Sequence, residues 1–492
     1  MENESVSSVI STDTARLLLV LASGSLLGIL GERLLWEAEL GLNLGLLLSC
    51  LVMVAWTLLR TRQTPARLLV LPLAFAWAFT WRDSLLLGMA DFLALLLALG
   101  LVILRPRSGT WQSLGWGEAV RGLAQLSLEV LKGPFKLVQQ EIPWQQLKEG
   151  GASKHATSVG LGLLISLPLV LLFGALFAGA DAGFEALITQ FTHFDFFQWL
   201  MHLVFAALLA GLSIGFLRAV LRGVEAPEET QGEWSLELVS VATVLIILDL
   251  LFALFVGYQL PYLFGGISLV QAAAGLTYAD YARRGFIELT AVSILVLPML
   301  LLLRALLKGL AGRGLQVFRL LAGLQLVLLC LIIASALQRM MIYQGEYGLT
   351  VLRVYVFAFE VWLFGAIAWF AWTVLGDRRE LLIGGMLIWA FGALALMHVP
   401  NWEALIVQTN TARAIAGKSL DTEYLNQLGM DAVPALLEAH GRLPMEIRHT
   451  MAPILLDRLT TLEQLDWRSA SYPRLAAARS LREHRAELEK ER

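Results

Sequence analysis

The chain has 492 residues, 57% of them hydrophobic and only 16% charged, with a formal net charge of −3. Soluble domains carry about 25% charged residues, so this composition excludes an ordinary soluble protein and points to the bilayer. No basic stripe dominates, which argues against nucleic acid as a partner. The two cysteines, Cys50 and Cys330, both fall in apolar runs and read as small core residues, with no disulfide framework and no thiolate metal spacing.

Taken in order, the chain begins with 14 residues that hold acids but neither Lys nor Arg. They lack the basic start of a cleaved signal peptide, so the first apolar run is expected to stay as a span. Eleven runs are candidates: 15–31, 40–59, 66–81, 84–104, 158–178, 199–221, 236–257, 287–307, 317–337, 350–375 and 380–398. A bilayer core needs about 20 apolar residues per helix, and backbone in lipid must pair within itself, so these runs predict helices. The fold class is therefore all-α, a polytopic transmembrane bundle of about eleven spans with a small helical C-terminal domain.

Lys and Arg set the orientation. With the N-terminus inside, the inner connections collect most of them. The outer ones hold only Arg33, Arg82, Arg283, Arg284, Arg339 and Arg353. This predicts a multi-pass membrane protein, N-terminus inside and tail outside.

Four regions follow. Residues 1–104 form a four-span part. Residues 105–157 are an amphipathic insert around Trp111, Trp116, Leu123, Leu126 and Leu131. It reads either as helices on the cytoplasmic membrane surface or as a hairpin packed on the bundle. Residues 158–398 carry seven spans. Within them the connection 179–198 is acidic and phenylalanine-rich, and its lone His193 has no second ligand at metal spacing. Residues 399–492 form the tail. There Asn401, Asp421 and Asp431 are placed to cap helices and Gly417, Gly429 and Gly441 to end them.

The seventh connection holds YLFGG and then TYADYARRGFIEL, in which Asp280, Arg284 and Glu288 stack at i, i+4 and i+8. Those motifs resemble a bacterial family of polytopic membrane proteins known as a domain of unknown function, group 4173, with a sibling group 4153. Three further stretches resemble it: LPLVLLFGALFAGADAGF (167–184), QRMMIYQGEYGLTVLRVYVF (338–357) and NTARAIAGKSLDTEYLNQLGMDAVPALL (410–437). The resemblance covers roughly 158–480. It implies the architecture and transfers no activity.

Three carboxylates lie well inside spans: Asp91, Asp249 and Glu360. Charge at the bilayer centre costs on the order of 2.5–3.5 kcal/mol, so such acids face a cavity or a partner. They read as an ion or proton relay, or as protonated acids that pin packing. Arg353, seven residues before Glu360, is a candidate partner for it by snorkelling. A second group gathers at outer ends: Tyr278, Tyr281, Arg283, Arg284, Arg339, Tyr343, Tyr347 and Arg353. Arginines with tyrosines can grip an anion, and they are also what interfacial belts and helix anchors look like.

Nucleophile elbows, phosphate loops and metalloprotease motifs are absent, so no catalytic residue, cofactor or metal is assigned. Glu32, Glu37 and Glu39 remain as acids a membrane transferase would use. The leading function is binding or transport of an anionic or lipid-linked solute. The alternative is a membrane-anchored scaffold that recruits an envelope partner through 399–492. Besides the bilayer, an anionic lipid or small solute is the expected partner.

Overall fold

A computed structural model describes residues 12–59, 66–105, 116–144, 196–225, 236–264, 286–307 and 312–492, with scattered positions between 162 and 184. The described chain is helical, apart from a two-residue parallel pairing of Leu104–Arg105 with Val224–Glu225 and a single bridge between Leu236 and Leu307. Its helices are α1 (Thr12–Leu35), α2 (Leu42–Leu59), α3 (Val70–Ala78), α4 (Leu85–Ile103), α5 (Trp116–Lys136), α6 (Phe196–Arg222), α7 (Leu238–Phe264) and α8 (Phe286–Leu306). There follow α9 (Arg313–Tyr347), α10 (Val351–Phe370), α11 (Leu382–Met397) and the tail helices α12 (Trp402–Ile415), α13 (Thr422–Gln427), α14 (Val433–His440), α15 (Met445–Glu463) and α16 (Tyr472–Lys490).

Eight of the described helices are long and apolar enough to cross a membrane, or nine if α11 and α12 count as one span bent by 54°. Of the eleven expected runs, 66–81 is not among these helices. The run 66–81 gives a 3-10 turn, Ala66–Leu69, and then only the 9-residue α3. Together they rise about 21 Å, and they carry the chain from the far end of α2 back to the tail end, where Thr80 O accepts from Tyr472 N, so the run crosses the bundle as a short helix. It stops because Phe79 to Trp81 turn out of it, and Thr80 Oγ1 donates back to the Trp77 carbonyl at 2.7 Å. The expected span 158–178 lies largely outside the described residues.

Close helix contacts build the first layer. α1 runs antiparallel to α6, and Gly24 and Gly28 form the seam. A Cβ on Gly28 would strike Ala210 and the Ala206 carbonyl, and one on Gly24 would strike Ile214. In lipid such small-residue seams let backbones approach and gain dispersion, since no hydrophobic force joins the helices. The second layer is α7 to α10, with its own core of residues such as Leu245, Leu300, Phe318, Leu329 and Phe370.

The described part of the insert packs against the bundle on one face. α5 lies on α6, where a Cβ on Gly133 would reach the Gly215 backbone at 2.9 Å. Arg218 of α6 donates to Glu129 at 3.1 Å and to Glu141 at 2.9 Å, and Lys136 also pairs with Glu129 at 2.7 Å. The Lys136 bond, with Arg218 beside it, holds the Glu129 carboxyl below the usual range. Val120, Leu128, Leu131 and Phe135 stay exposed on the other face.

The tail has its own core, including Ile406, Val407, Leu436, Met451, Leu455 and Leu481. Asn401 and Asp421 cap as expected, accepting from Ala404 N at 3.0 Å and Tyr424 N at 2.9 Å. Gly417, at φ +87°, ends α12 in the left-handed region. Asp431 does not cap, because both its oxygens are engaged elsewhere. The tail sits on one end of the bundle, the end that carries the α1–α2 and α3–α4 connections. Leu42 N donates to Ala470 O at 2.9 Å and Tyr472 N to Thr80 O at 2.8 Å.

Candidate functional site

The second layer carries a buried polar ladder. Its register is fixed at the end far from the tail. There Arg304 of α8 pairs with Asp377, just past α10, at 3.9 Å, and its guanidinium lies 5.9 Å from the Phe318 ring of α9. The Leu236–Leu307 bridge sets the start of α7 beside the end of α8. Counted from these anchors at about 1.5 Å per residue, Asp249 of α7 and Gln325 of α9 share one level. Gln259 of α7, Ser335 of α9 and Glu360 of α10 share another, about 15 Å nearer the tail. Ser293 of α8 falls between. The packing of Val256, Leu289, Leu328, Ile332 and Ala336 in one cluster agrees with this register.

All six are buried, from 0% exposed for Gln325 to 4% for Asp249 and Gln259. Ser293 donates to the Leu289 carbonyl at 2.8 Å. Among the described residues, both oxygens of Asp249, both amide atoms of Gln325, Oε1 of Gln259 and Oε2 of Glu360 are buried without a hydrogen-bond partner. Each unmet buried group costs about 1–3 kcal/mol, so the ladder is locally destabilising.

Asp91 is placed differently. Its Oδ2 lies 3.0 Å from Nε2 of His398, whose Nδ1 is 2.9 Å from the Leu394 carbonyl. A carbonyl only accepts, so Nδ1 carries a hydrogen. The Asp91–His398 contact then holds one further proton, on the imidazolium or on the carboxyl. This pair joins span α4 to the hinge between α11 and the tail.

Around that hinge lies a charged junction. Arg82 spends all its donor nitrogens there: Nη1 to Asp431 at 3.0 Å, Nε to His398 O at 3.1 Å and Nη2 to Val399 O at 3.0 Å. Asp83 N donates to the other Asp431 oxygen at 2.6 Å. Arg474 pairs with Asp83 at 3.0 Å and Glu39 at 2.7 Å. Tyr355 OH is 3.0 Å from Ser84 Oγ. Glu403, at the start of α12, is 6% exposed, and its Oε2 has no partner. Burial, then the nearby Asp431 and Asp83 carboxylates, push Glu403 up to about 8, against Gly429 N–H and Arg458. Burial also raises Asp431, while Asp83 N–H and Arg82 pull it back.

The outer arginine and tyrosine group is only partly visible. Tyr278, Tyr281, Arg283 and Arg284 lie outside the described residues. Tyr343 and Tyr347 bring their rings to 4.8 Å. Arg353 does not reach toward Glu360. It sits 4.2 Å over the Tyr343 ring and donates to the Gly348 carbonyl at 2.6 Å, at the C-terminal end of α9. Arg339, on the same helix as the two tyrosines, lies one turn before Tyr343. Of the three acids after the first span, Glu32 meets His202 Nδ1 at 2.5 Å, Glu39 binds Arg474, and Glu37 is exposed. No group of three or more His, Cys, Asp or Glu among the described residues is placed to hold a metal ion.

The acids Asp91, Asp249 and Glu360 stood out in sequence. Gln325, Gln259, Ser293 and Ser335 did not. An amide or hydroxyl inside an apolar run is a real signal, but a common one. It gains weight only when helix register aligns several.

A family model described as a domain of unknown function (DUF4153) matches residues 68–439. This is the sibling of the two groups the motifs resemble. The match begins earlier than expected, so α4 and the insert fall within it, and it ends at the close of α14. No curated protein and no solved structure matches the chain.

Proposed function

The chain belongs to the DUF4153 family, and we propose that it binds or moves a solute through its bundle, with protonation of buried carboxylates linked to the movement. The observation that carries this reading is the ladder of Asp249, Gln325, Gln259 and Glu360, buried and unmet inside an apolar four-helix layer. Asp249 and Glu360 take the relay role, and Asp91 with His398 forms a separate proton-holding pair beside the tail. Arg339 with Tyr343 and Tyr347, joined by Arg283, Arg284, Tyr278 and Tyr281, favours an anionic or lipid-linked cargo; Arg353 serves the end of α9. The membrane is the bacterial cytoplasmic one, with the tail outside.

A scaffold role comes second, because the tail folds around its own core. Its cleft between α12 and α14 has a volume of about 90 Å³ and is lined by Gln408, Glu438 and Arg442 as well as Ile415. Transport is preferred because it rests on the buried ladder.

Purified protein in liposomes loaded with a pH dye tests it. An outside-acid jump should collapse faster with the protein than without. Asp249→Asn and Glu360→Gln should each slow it at least tenfold while melting like the parent. An Asp249→Asn protein as fast as the parent removes the relay.

A further inference from the structure

The foot of the tail carries an apolar rim that neither the ladder nor the junction uses. Trp81, Leu40 and Val399 lie in three connections at the tail end of the bundle, between α3 and α4, α1 and α2, and α11 and α12. Those connections mark where the hydrocarbon ends. The tail adds Trp467, Tyr472 and Leu475, which are 62%, 59% and 63% exposed. They sit at the same level. Tyr472 stacks on Trp81 with centroids 5.4 Å apart, and Trp81 Nε1 donates to the His398 carbonyl beside Val399. Arg468, next to Trp467, donates to the Arg33 and Trp36 carbonyls at the end of α1. Leu475 is one turn beyond Tyr472 on the same face of α16.

From this rim we propose that the tail rests on the lipid interface, with Trp467, Tyr472 and Leu475 set among headgroups and upper acyl chains. Three lines carry it. Tryptophan and tyrosine are the residues of the membrane–water boundary. The rim is continuous with the lipid-facing surface of the bundle through Trp81 and Leu40. Arg474 on Asp83 and Arg82 on Asp431 clamp the tail, so it holds this face down at a fixed height. Clustered exposed apolar side chains mark a contact surface. Here the surrounding level makes lipid the occupant. The tail is thus a docked interfacial domain and not a tethered arm, whatever the cargo of the bundle.

The test uses the full chain with Cys50→Ser and Cys330→Ser, in phosphatidylcholine nanodiscs. A Leu475→Cys variant carries a nitrobenzoxadiazole dye. The control is Met445→Cys, at the opposite end of the α15–α16 hairpin, where Arg448 meets Glu491 at 3.0 Å. Lipids with a nitroxide high on the acyl chain should quench the dye at 475 at least twofold and leave 445 unchanged. Equal response at both positions overturns the proposal. So does a blue-shifted but unquenched dye at 475, which would mean that a protein surface covers the rim. Trp467→Cys repeats the measurement should the Leu475 variant not fold.

Discussion

Arg82 and Asp431 are 349 residues apart in sequence and 3.0 Å apart in space, and their ion pair is the bolt between membrane bundle and tail. Both side chains are largely buried, at 12% and 4% exposure. Arg82→Ala leaves Asp431 charged, buried and beside Asp83. Breaking a buried pair from one side costs about 3–5 kcal/mol. Asp431→Asn keeps a carbonyl for Asp83 N–H and loses less, about 1–3 kcal/mol. Thermal unfolding should rank parent, then Asp431→Asn, then Arg82→Ala. Limited proteolysis should release the tail first from Arg82→Ala.

Glu403 makes tail stability depend on pH. Its carboxyl titrates at about 8 in the folded protein and near the ordinary 4.5 once unfolded. Between those values the folded state holds a proton that the unfolded state has lost. The stabilisation is complete below about pH 4.5, falls as pH rises and is gone above about pH 8. The whole effect is on the order of a few kcal/mol. Glu403→Gln stays neutral and should flatten the curve, with its largest gain over the parent near pH 8. A parent whose unfolding midpoint does not fall from pH 5 to pH 8 more than that of Glu403→Gln would contradict this.

These two cases show where sequence reading stops. Helices were legible because lipid leaves an apolar run no other backbone solution, and Asp91, Asp249 and Glu360 were legible because a charge in such a run is an anomaly. Helix length was less so: 66–81 has the hydropathy of a span, and its helix ends early, at Ala78, in a turn from which Trp81 and Arg82 donate to the His398 carbonyl. Asp91 could not be matched with His398, 307 residues away. Arg353 was near enough to Glu360 in sequence to look like its partner, but the open carbonyls ending α9 are closer. The motif around Arg283 and Arg284 falls outside the described residues and stays a sequence argument.

The ladder predicts an opposition between stability and activity. Gln325 is fully buried with neither amide atom satisfied. Gln325→Leu removes that penalty at similar volume and should raise stability by about 1–3 kcal/mol. If the amide is a step on the path, proton flux in liposomes should fall at least tenfold in the same variant. A stabilised variant with unchanged flux would make Gln325 a packing defect without a role.

Gly28 should be among the least replaceable residues of the first layer. Any Cβ there meets the Ala206 carbonyl, which is backbone and cannot swing away. Gly28→Val must push α1 off α6, losing the close contact that holds helices together in lipid. Overpacking of this kind costs about 1–3 kcal/mol. The variant should insert but show a lowered melting temperature in detergent. Gly392, whose Cβ position meets nothing within 4 Å among the described residues, should accept Ala without loss.

The docking geometry also ties the tail to a side of the membrane. The tail shares its end of the bundle with the α1–α2 connection. The segment after α10 lies at the other end, where Arg304 meets Asp377. In a protein with Cys50→Ser and Cys330→Ser, single cysteines at Glu37 and Glu446 should therefore react alike with an impermeant maleimide, and one at Glu380 should behave oppositely. All three positions are exposed, so accessibility reports side and not burial. The orientation proposed above has the N-terminus inside. Intact cells should then label Glu37→Cys and Glu446→Cys, and Glu380→Cys only after lysis. The inverse pattern would reverse the orientation and leave the fold standing. Different labelling at Glu37→Cys and Glu446→Cys would break the docked arrangement itself, and with it both the Arg82–Asp431 bolt and the lipid contact of Leu475.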